Sequence, residues 1–108
     1  MFDDLVTALK GTGISFAENA WDQRPAGNYG VVAIDGAGQT VAADNRIQLQ
    51  SIEGTVDLFT TTNDRTDMAK IQKVLNDTDG CAWYLSSVQY EQETHLIHWE
   101  WVFQLEAI

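Results

Sequence analysis

The stretch HLIHWEWVFQLE, residues 95–106, concentrates the side chains of this chain that are best suited to chemistry. It contains both histidines and two of the four tryptophans: His95, His98, Trp99 and Trp101. Imidazoles beside the carboxylate of Glu100 could bind a metal ion or transfer a proton, and indoles could form a platform for a ligand. The same residues also fit a core strand, so strand geometry has to separate the three interpretations.

Side chains alternate between the two faces of a strand, so His95 and His98 cannot hold one metal ion together if both lie in the strand. His98 and Glu100 do share a face, but zinc sites usually take three or four protein ligands. Cys81 is the only cysteine, which excludes an internal disulfide framework and a multi-cysteine zinc site. The sequence therefore predicts no metal site and no cofactor.

The alternate positions of the same stretch are all apolar. They are Ile97, Trp99, Trp101, Phe103 and Leu105. Five consecutive apolar positions on one face are typical of a strand that covers a core. A ligand platform needs polar partners beside its rings, and this row has none. Trp99 and Trp101 are therefore predicted to be core residues.

Cys81 and His98 could be imagined as a nucleophile and its base. In a hairpin with a four-residue loop at 92–95, however, Cys81 pairs with residue 106, which puts His98 on the order of 25 Å away at ~3.3 Å per residue. The segment KGTGIS lacks the end of a phosphate-binding loop, and no Gly-x-Ser-x-Gly elbow occurs. The sequence predicts no catalytic residues, and hence a protein that is not an enzyme.

Composition indicates a single acidic domain. The chain has 108 residues, 44% of them hydrophobic, and a formal net charge of -10 from 16 acids and 6 bases. That charge argues against tight binding to nucleic-acid phosphates or to an anionic membrane surface. The first residues are acidic rather than basic and no apolar run approaches ~20 residues, so a cytoplasm-like compartment is expected.

Periodicity and turn residues predict the order α-β-β-β-β-α-β-β. The elements are a helix at 2–10, a strand within 13–21, strands at 29–35 and 39–45 around DGAG, a strand at 46–62, a helix at 64–76, and a hairpin of 81–92 and 96–106. Within the strand at 46–62, the apolar residues change from odd-numbered to even-numbered positions. This change predicts a bulge or bend between Gln50 and Gly54. The fold predicted is α+β, with two helices packed on a mainly antiparallel sheet.

The only arginines, Arg24, Arg46 and Arg65, each fall near the end of a predicted element. Solvated loop charges are one interpretation. Contact between subunits is the other, because arginine is favoured at interfaces and acids are abundant here. These three residues are the candidate subunit-interface residues.

The order of several segments along nearly the whole chain is similar to that of a known protein family. RPAGNY (24–29) follows the first helix, GTVDLFTTTND (54–64) precedes the helix segment IQKVLND (71–77), and a long hairpin closes the chain. This order resembles the small tail terminator proteins, also called tail completion or minor tail proteins, of long-tailed bacteriophages and prophages. On that resemblance, Val56, Asp57, Leu58 and Phe59 belong to a structural strand.

The resemblance implies a structural virion protein that forms a homo-oligomeric ring, usually a hexamer, at the head-proximal end of the tail. The ring would end polymerisation of the tail tube and join the tail to the head. Its partners would be itself, the tail tube protein and the head-tail connector, with DNA passing through the lumen without specific binding. It would assemble in the bacterial cytoplasm.

Other functions remain open at this stage. A head-tail connector or neck subunit of the same assembly is one, and a small non-catalytic ligand-binding module with an aromatic pocket is another. A hydrolase or metal enzyme built around His98 and Glu100 ranks below both.

Overall fold

The computed structural model describes residues 2–43, 46–61 and 65–107, with side chains described outside 37–50 and 107. Its elements are α1 (Phe2–Lys10), β1 (Ser15–Glu18), β2 (Tyr29–Ala43), β3 (Arg46–Thr60), α2 (Thr66–Asp77), β4 (Cys81–Glu91) and β5 (Leu96–Ala107). The strands form one sheet in the order β1-β2-β3-β5-β4, in which only the β1–β2 pair is parallel. The predicted α+β class is confirmed.

The two helices are short amphipathic elements whose apolar faces are buried. In α1 the acidic first turn and Lys10 in the last turn match the helix dipole, while Leu5 and Leu9 are fully buried. In α2 the buried residues are Ile71 and Leu75. Neither helix is long and apolar enough to span a membrane within the described residues.

Both helices pack on the face of the sheet that carries the tryptophan row of β5. Trp99, Trp101, Phe103 and Leu105 are at most 4% exposed and lie in one cluster with helix residues. The indole N–H of Trp99 donates to Thr60 Oγ1 at 3.1 Å, so its polar atom is satisfied inside the core. The prediction that this row is core is confirmed.

The predicted hairpin around DGAG is wrong, because β2 is one continuous strand through that segment. The ladder between β2 and β3 has register shifts at Ile34/Gly36 and Ala37/Thr40, which take up the extra residues as bulges instead of a turn. The described residues before α2 therefore form three strands, one fewer than predicted. Residues 44–45, between β2 and β3, lie outside the described residues.

A bulge or bend was predicted in β3 between Gln50 and Gly54. The structure has the bulges in β2, the strand that pairs with this segment. β3 pairs with β5 without interruption from Gln50 to Thr60, whereas the bulges opposite it are in β2. The start of α2 also differs slightly from the prediction: the helix begins at Thr66, and the predicted first residue, Asp64, lies outside the described residues.

The side chain of Asn28, in the link before β2, forms hydrogen bonds both to the residue that follows β3 and to the first turn of α2. The side-chain amide of Asn28 donates to Asp67 Oδ2 at 2.8 Å, and its oxygen accepts the backbone N–H of Thr61 at 2.9 Å. One asparagine thus fixes where β3 stops and where α2 begins.

The β2–β3 ladder extends beyond the rest of the sheet. β5 accompanies β3 only as far as Gln50, opposite Ala107, but β2 and β3 remain paired to Ala43 and Arg46. We call residues 41–49 the β-arm; its backbone is described at 41–43 and 46–49. The molecule measures 52 × 25 × 25 Å, and its radius of gyration of 15.0 Å exceeds the roughly 13 Å expected for a compact chain of this length.

We predict that Trp101→Ala lowers the free energy of unfolding by about 3–5 kcal/mol, because a fully buried indole is replaced by a cavity. Trp99→Ala should have a similar effect. The matched control is Tyr84→Ala, at a ring that is 60% exposed, which should cost less than about 1 kcal/mol. Urea unfolding measures all three, and equal losses for Trp101→Ala and Tyr84→Ala would contradict the core assignment.

We predict that Gly54→Ala is strongly destabilising. A methyl group there would lie 2.2 Å from the carbonyl oxygen of Ala33 and 2.7 Å from the ring of Phe103. The loss should reach or exceed about 3 kcal/mol, the upper part of the range for overpacking, because one of the obstacles is backbone. Gly36→Ala is the control, since nothing lies within 4 Å of its added methyl. Comparable melting temperatures for the two variants would refute the prediction.

Candidate functional site

The face of the sheet opposite the helices, here called the open face, is not covered by any described helix. It carries the other parity of β5, including His98 and Glu100, and the matching residues of the neighbouring strands. On β5 its side chains from His98 to Glu106 are half-buried or exposed, in contrast to the tryptophan row, which is at most 4% exposed from Trp99 to Leu105. The predicted separation of His98 and Glu100 from that row is confirmed.

A row of three stacked rings crosses the open face on adjacent strands. Tyr29 of β2 pairs with Phe59 of β3, which in turn pairs with His98 of β5. The ring centroids are 4.7 Å apart between Tyr29 and Phe59 and 4.3 Å apart between Phe59 and His98. Stacking of this kind fixes the plane of the imidazole, because the ring cannot tilt without losing contact with Phe59.

A polar row lies next to the rings. Asp57 of β3 is directly paired with Glu100 of β5, and His98 Nε2 is 2.7 Å from Asp57 Oδ1. An ionised carboxylate only accepts hydrogen bonds, so Nε2 carries the hydrogen in this arrangement. The other ring nitrogen, Nδ1, lies 3.8 Å from Glu91 Oε2. Three carboxylates therefore surround one imidazole.

These carboxylates change the acidity of the ring. The hydrogen bond to Asp57 raises the pKa of His98 above its ordinary value of 6.5; partial burial opposes this, and the charges of Asp57, Glu91 and Glu100 reinforce it. His98 is thus held as a cation over a wider pH range than a free histidine.

A β-bulge in β4 brings a hydroxyl to the same cluster. The register of the β4–β5 ladder shifts between Leu85 and Ser87, which leaves Ser86 without a direct partner on β5. The hydroxyl of Ser86 donates to Glu100 Oε1 at 2.6 Å. The bulge also moves the partner of Cys81 from residue 106 to Leu105, one position from the prediction.

The cluster is not arranged for nucleophilic catalysis. Both ring nitrogens of His98 face carboxylates, so neither is free to activate a hydroxyl or thiol. Cys81 pairs with Leu105 while His98 pairs with Gln89, which separates the two along the ladder as predicted. Burial raises the pKa of the Cys81 thiol, which keeps it protonated and unreactive.

Three side chains of the cluster could hold a metal ion. One ligand atom each from Asp57, His98 and Glu100 lie within 4.8 Å of one another. Sequence reasoning found only His98 and Glu100, because Asp57 is 41 residues from His98 and joins it only through sheet pairing. The bulge at Ser86 is visible in the sequence. The apolar residues of β4 change from odd-numbered to even-numbered positions between Leu85 and Val88, as a bulge requires.

Two concave sites outside this cluster lie among the described residues, and neither combines an aromatic lining with the volume of a ligand pocket. Trp99 and Trp101 are buried under the helices and offer no platform. A shallow groove on the open face, near Trp83 and Tyr84, encloses about 170 Å³, below the roughly 300 Å³ at which small-molecule sites begin. A larger depression of about 470 Å³, beside the link between α2 and β4, is lined largely by acids, among them Asp77 and Glu106.

The candidate interface arginines are not part of the cluster. Arg24 lies exposed in the link between β1 and β2, and Arg65 lies exposed directly before α2. Arg46 begins β3 in the β-arm, and its side chain is outside the described residues. Their assignment to a subunit interface stays a prediction.

We predict that stability falls as pH rises through the neutral range because of His98. The pKa of His98 is raised in the folded chain, so its contribution is complete below about 6.5, the value of an unfolded chain, and is lost as pH rises through the folded pKa. Urea unfolding across about pH 5–9, in the presence of a chelator, measures this slope.

His98→Asn should fold and should lose the part of the slope that begins near neutrality. His95→Asn is the matched control, because His95 lies in the β4–β5 loop and contacts Tyr90 Oη at 2.9 Å instead of the cluster. An unchanged slope in His98→Asn would show that other groups cause the pH dependence.

Comparisons with known proteins assign no relative to the chain. No protein-family model matches it, and a search of curated proteins finds no similar one. The proposal for its function therefore rests on its own residues and fold.

Proposed function

We propose that this chain is a ring-forming structural protein of the tail terminator type. In this role it caps the head-proximal end of a bacteriophage tail tube, stops tube polymerisation and joins the tail to the head. The order of segments that resembles this family motivates the proposal, and features of the fold that call for a neighbouring subunit support it.

The β-arm is the observation that carries the proposal. Beyond Gln50, β2 and β3 have only each other as sheet partners among the described elements. An isolated two-stranded ribbon is marginally stable in water, so such an arm gains stability by packing against another surface. A second copy of the chain offers that surface, and an arm that reaches from each subunit to the next generates a ring when the rotation closes.

The far edge of the sheet provides a second reason to expect a neighbour. β4 is the outermost strand of the described sheet, and it presents exposed apolar side chains: Tyr84, Leu85, Val88 and Tyr90, between 38% and 60% exposed. Unprotected edge strands invite pairing with another chain. The arm and this edge lie at different parts of the molecule, as head-to-tail association requires.

Charge is consistent with passage of DNA through the ring. Each subunit has a formal net charge of -10, so a ring of several subunits repels phosphate instead of gripping it. The site geometry also suits a structural role, since His98 is engaged by carboxylates on both ring nitrogens.

The direct test is the assembly state of the untagged protein. Light scattering coupled to size exclusion should give, at high concentration, a species of six chains of 12.0 kDa, or about 72 kDa. Negative-stain images should show rings with rotational symmetry. A chain that stays monomeric at every concentration and does not associate with tail tubes would refute the proposal.

An arm-deletion variant tests whether the β-arm causes assembly. Residues 41–49 are replaced by Asn-Gly, which joins the paired residues Thr40 and Gln50 through a two-residue turn. This variant should keep a cooperative melting transition and become monomeric. Rings of unchanged stability in the variant would remove the arm from the interface.

Polymerisation of the tail tube protein from the same genome separates a terminator from a neck subunit. A terminator binds tube ends and limits tube length in electron micrographs. A connector or neck subunit leaves tube length unchanged and binds the head connector instead.

We predict that charge reversal at the candidate arginines weakens assembly more than folding. Arg24→Glu and Arg46→Glu should shift sedimentation toward monomer while the melting temperature changes little; for Arg24 the reason is that its side chain is exposed, and exposed charges contribute little to stability. Lys73→Glu, the same charge change at a 77% exposed side chain of α2, is the control. Equal effects of all three on sedimentation would indicate a general charge effect rather than an interface.

A further inference from the structure

We propose that Asp57, His98 and Glu100 form a binding site for one divalent transition-metal ion of the Zn²⁺ class on the open face. One ligand atom from each residue lies within 4.8 Å of the others. This inference concerns a single subunit and does not depend on ring assembly.

Strand pairing places all three ligands on rigid backbone. Asp57 and Glu100 are directly paired on neighbouring strands, and His98 lies two residues before Glu100 on the same face. Sites built on strands hold their ligands more accurately than sites built on loops. The metal would therefore meet a largely formed site and would tie β3 to β5.

Both carboxylates are oriented by a hydroxyl from outside the ligand set. Ser86 donates to Glu100 Oε1 at 2.6 Å, and Thr55 Oγ1 lies 3.4 Å from Asp57 Oδ2. Asp57 Oδ1 accepts the hydrogen bond from His98 Nε2 at 2.7 Å, so an ion would replace the proton between these two atoms, and Glu100 Oε2 takes no part in the contact with Ser86. Partners of this kind orient the ligands in established metal sites.

The imidazole of His98 is also held in place by residues outside the ligand set, here an aromatic ring and a carboxylate. Stacking on Phe59 at 4.3 Å fixes the plane of the ring, and Glu91 Oε2 lies 3.8 Å from His98 Nδ1. When a metal ion takes Nε2, the ring proton resides on Nδ1, where Glu91 is the nearby acceptor. A carboxylate behind a metal-binding histidine is a recurrent arrangement, because it fixes the tautomer and raises the basicity of the ligand nitrogen.

The ligand set selects the class of ion. One imidazole nitrogen suits Zn²⁺ and related ions, whereas Mg²⁺ and Ca²⁺ prefer oxygen ligands alone. The charges of Asp57 and Glu100 offset that of a divalent ion. Three protein ligands leave a fourth position for water. Sequence reasoning expected no metal because only two ligands shared a strand face; Asp57 is the third, supplied by the adjacent strand.

Calorimetric titration of Zn²⁺ into the untagged, chelator-treated protein at about pH 8 tests the site, since deprotonated ligands are needed. We expect one ion per chain and a higher melting temperature in its presence. His98→Asn and Glu100→Gln should each weaken binding at least about tenfold. His95→Asn is the matched control and should bind as the wild type does. Mg²⁺ is the control ion and should bind far more weakly.

Imidazole NMR signals of the wild-type chain give a readout that needs no variant. Zn²⁺ should shift the signals of His98 and leave those of His95 unchanged. Unaltered His98 signals, wild-type affinity in Glu100→Gln, or equal affinity for Mg²⁺ would each overturn the proposal.

Discussion

The pairing of β3 with β5 is the constraint on which the rest of this structure depends. The ladder runs without interruption from Gln50, opposite Ala107, to Thr60, opposite Ile97. On one face it sets Val56 beside Trp101, and the two helices cover that face. On the other face the same ladder sets Asp57 beside Glu100. The same β3–β5 ladder thus positions the core on one face of the sheet and the candidate site on the other.

Strand alternation makes that register strongly determined. A slip of one residue would turn the tryptophan row toward water and drive the charged residues of the open face under the helices. Burying unpaired carboxylates costs several kcal/mol each, so such a slip is heavily disfavoured. Trp99 also favours the observed register, because in it the indole N–H donates a hydrogen bond to Thr60. The polar cluster can therefore exist without loosening the fold beneath it.

Local patterns predicted much of this fold, and their failures have definite causes. The ends of α1, the β4–β5 loop and the buried row of β5 follow from apolar periodicity, which acts within a few residues. DGAG was misassigned because its glycines permit a turn, while pairing with β3 keeps the chain extended and converts the surplus residues into bulges. In β4 the bulge at Ser86 was detectable as a change of parity.

The sequence by itself determined that His98 and Glu100 lie on the face opposite the tryptophans, because strand alternation is a property of the local backbone. It also determined that Cys81 lies too far along the β4–β5 ladder to reach His98. Only the tertiary structure decided what His98 contacts. Asp57 arrives from β3, 41 residues away, through a ladder that no local pattern encodes. The physical reason is that nonlocal strand order depends on which edges remain free after the whole core has packed.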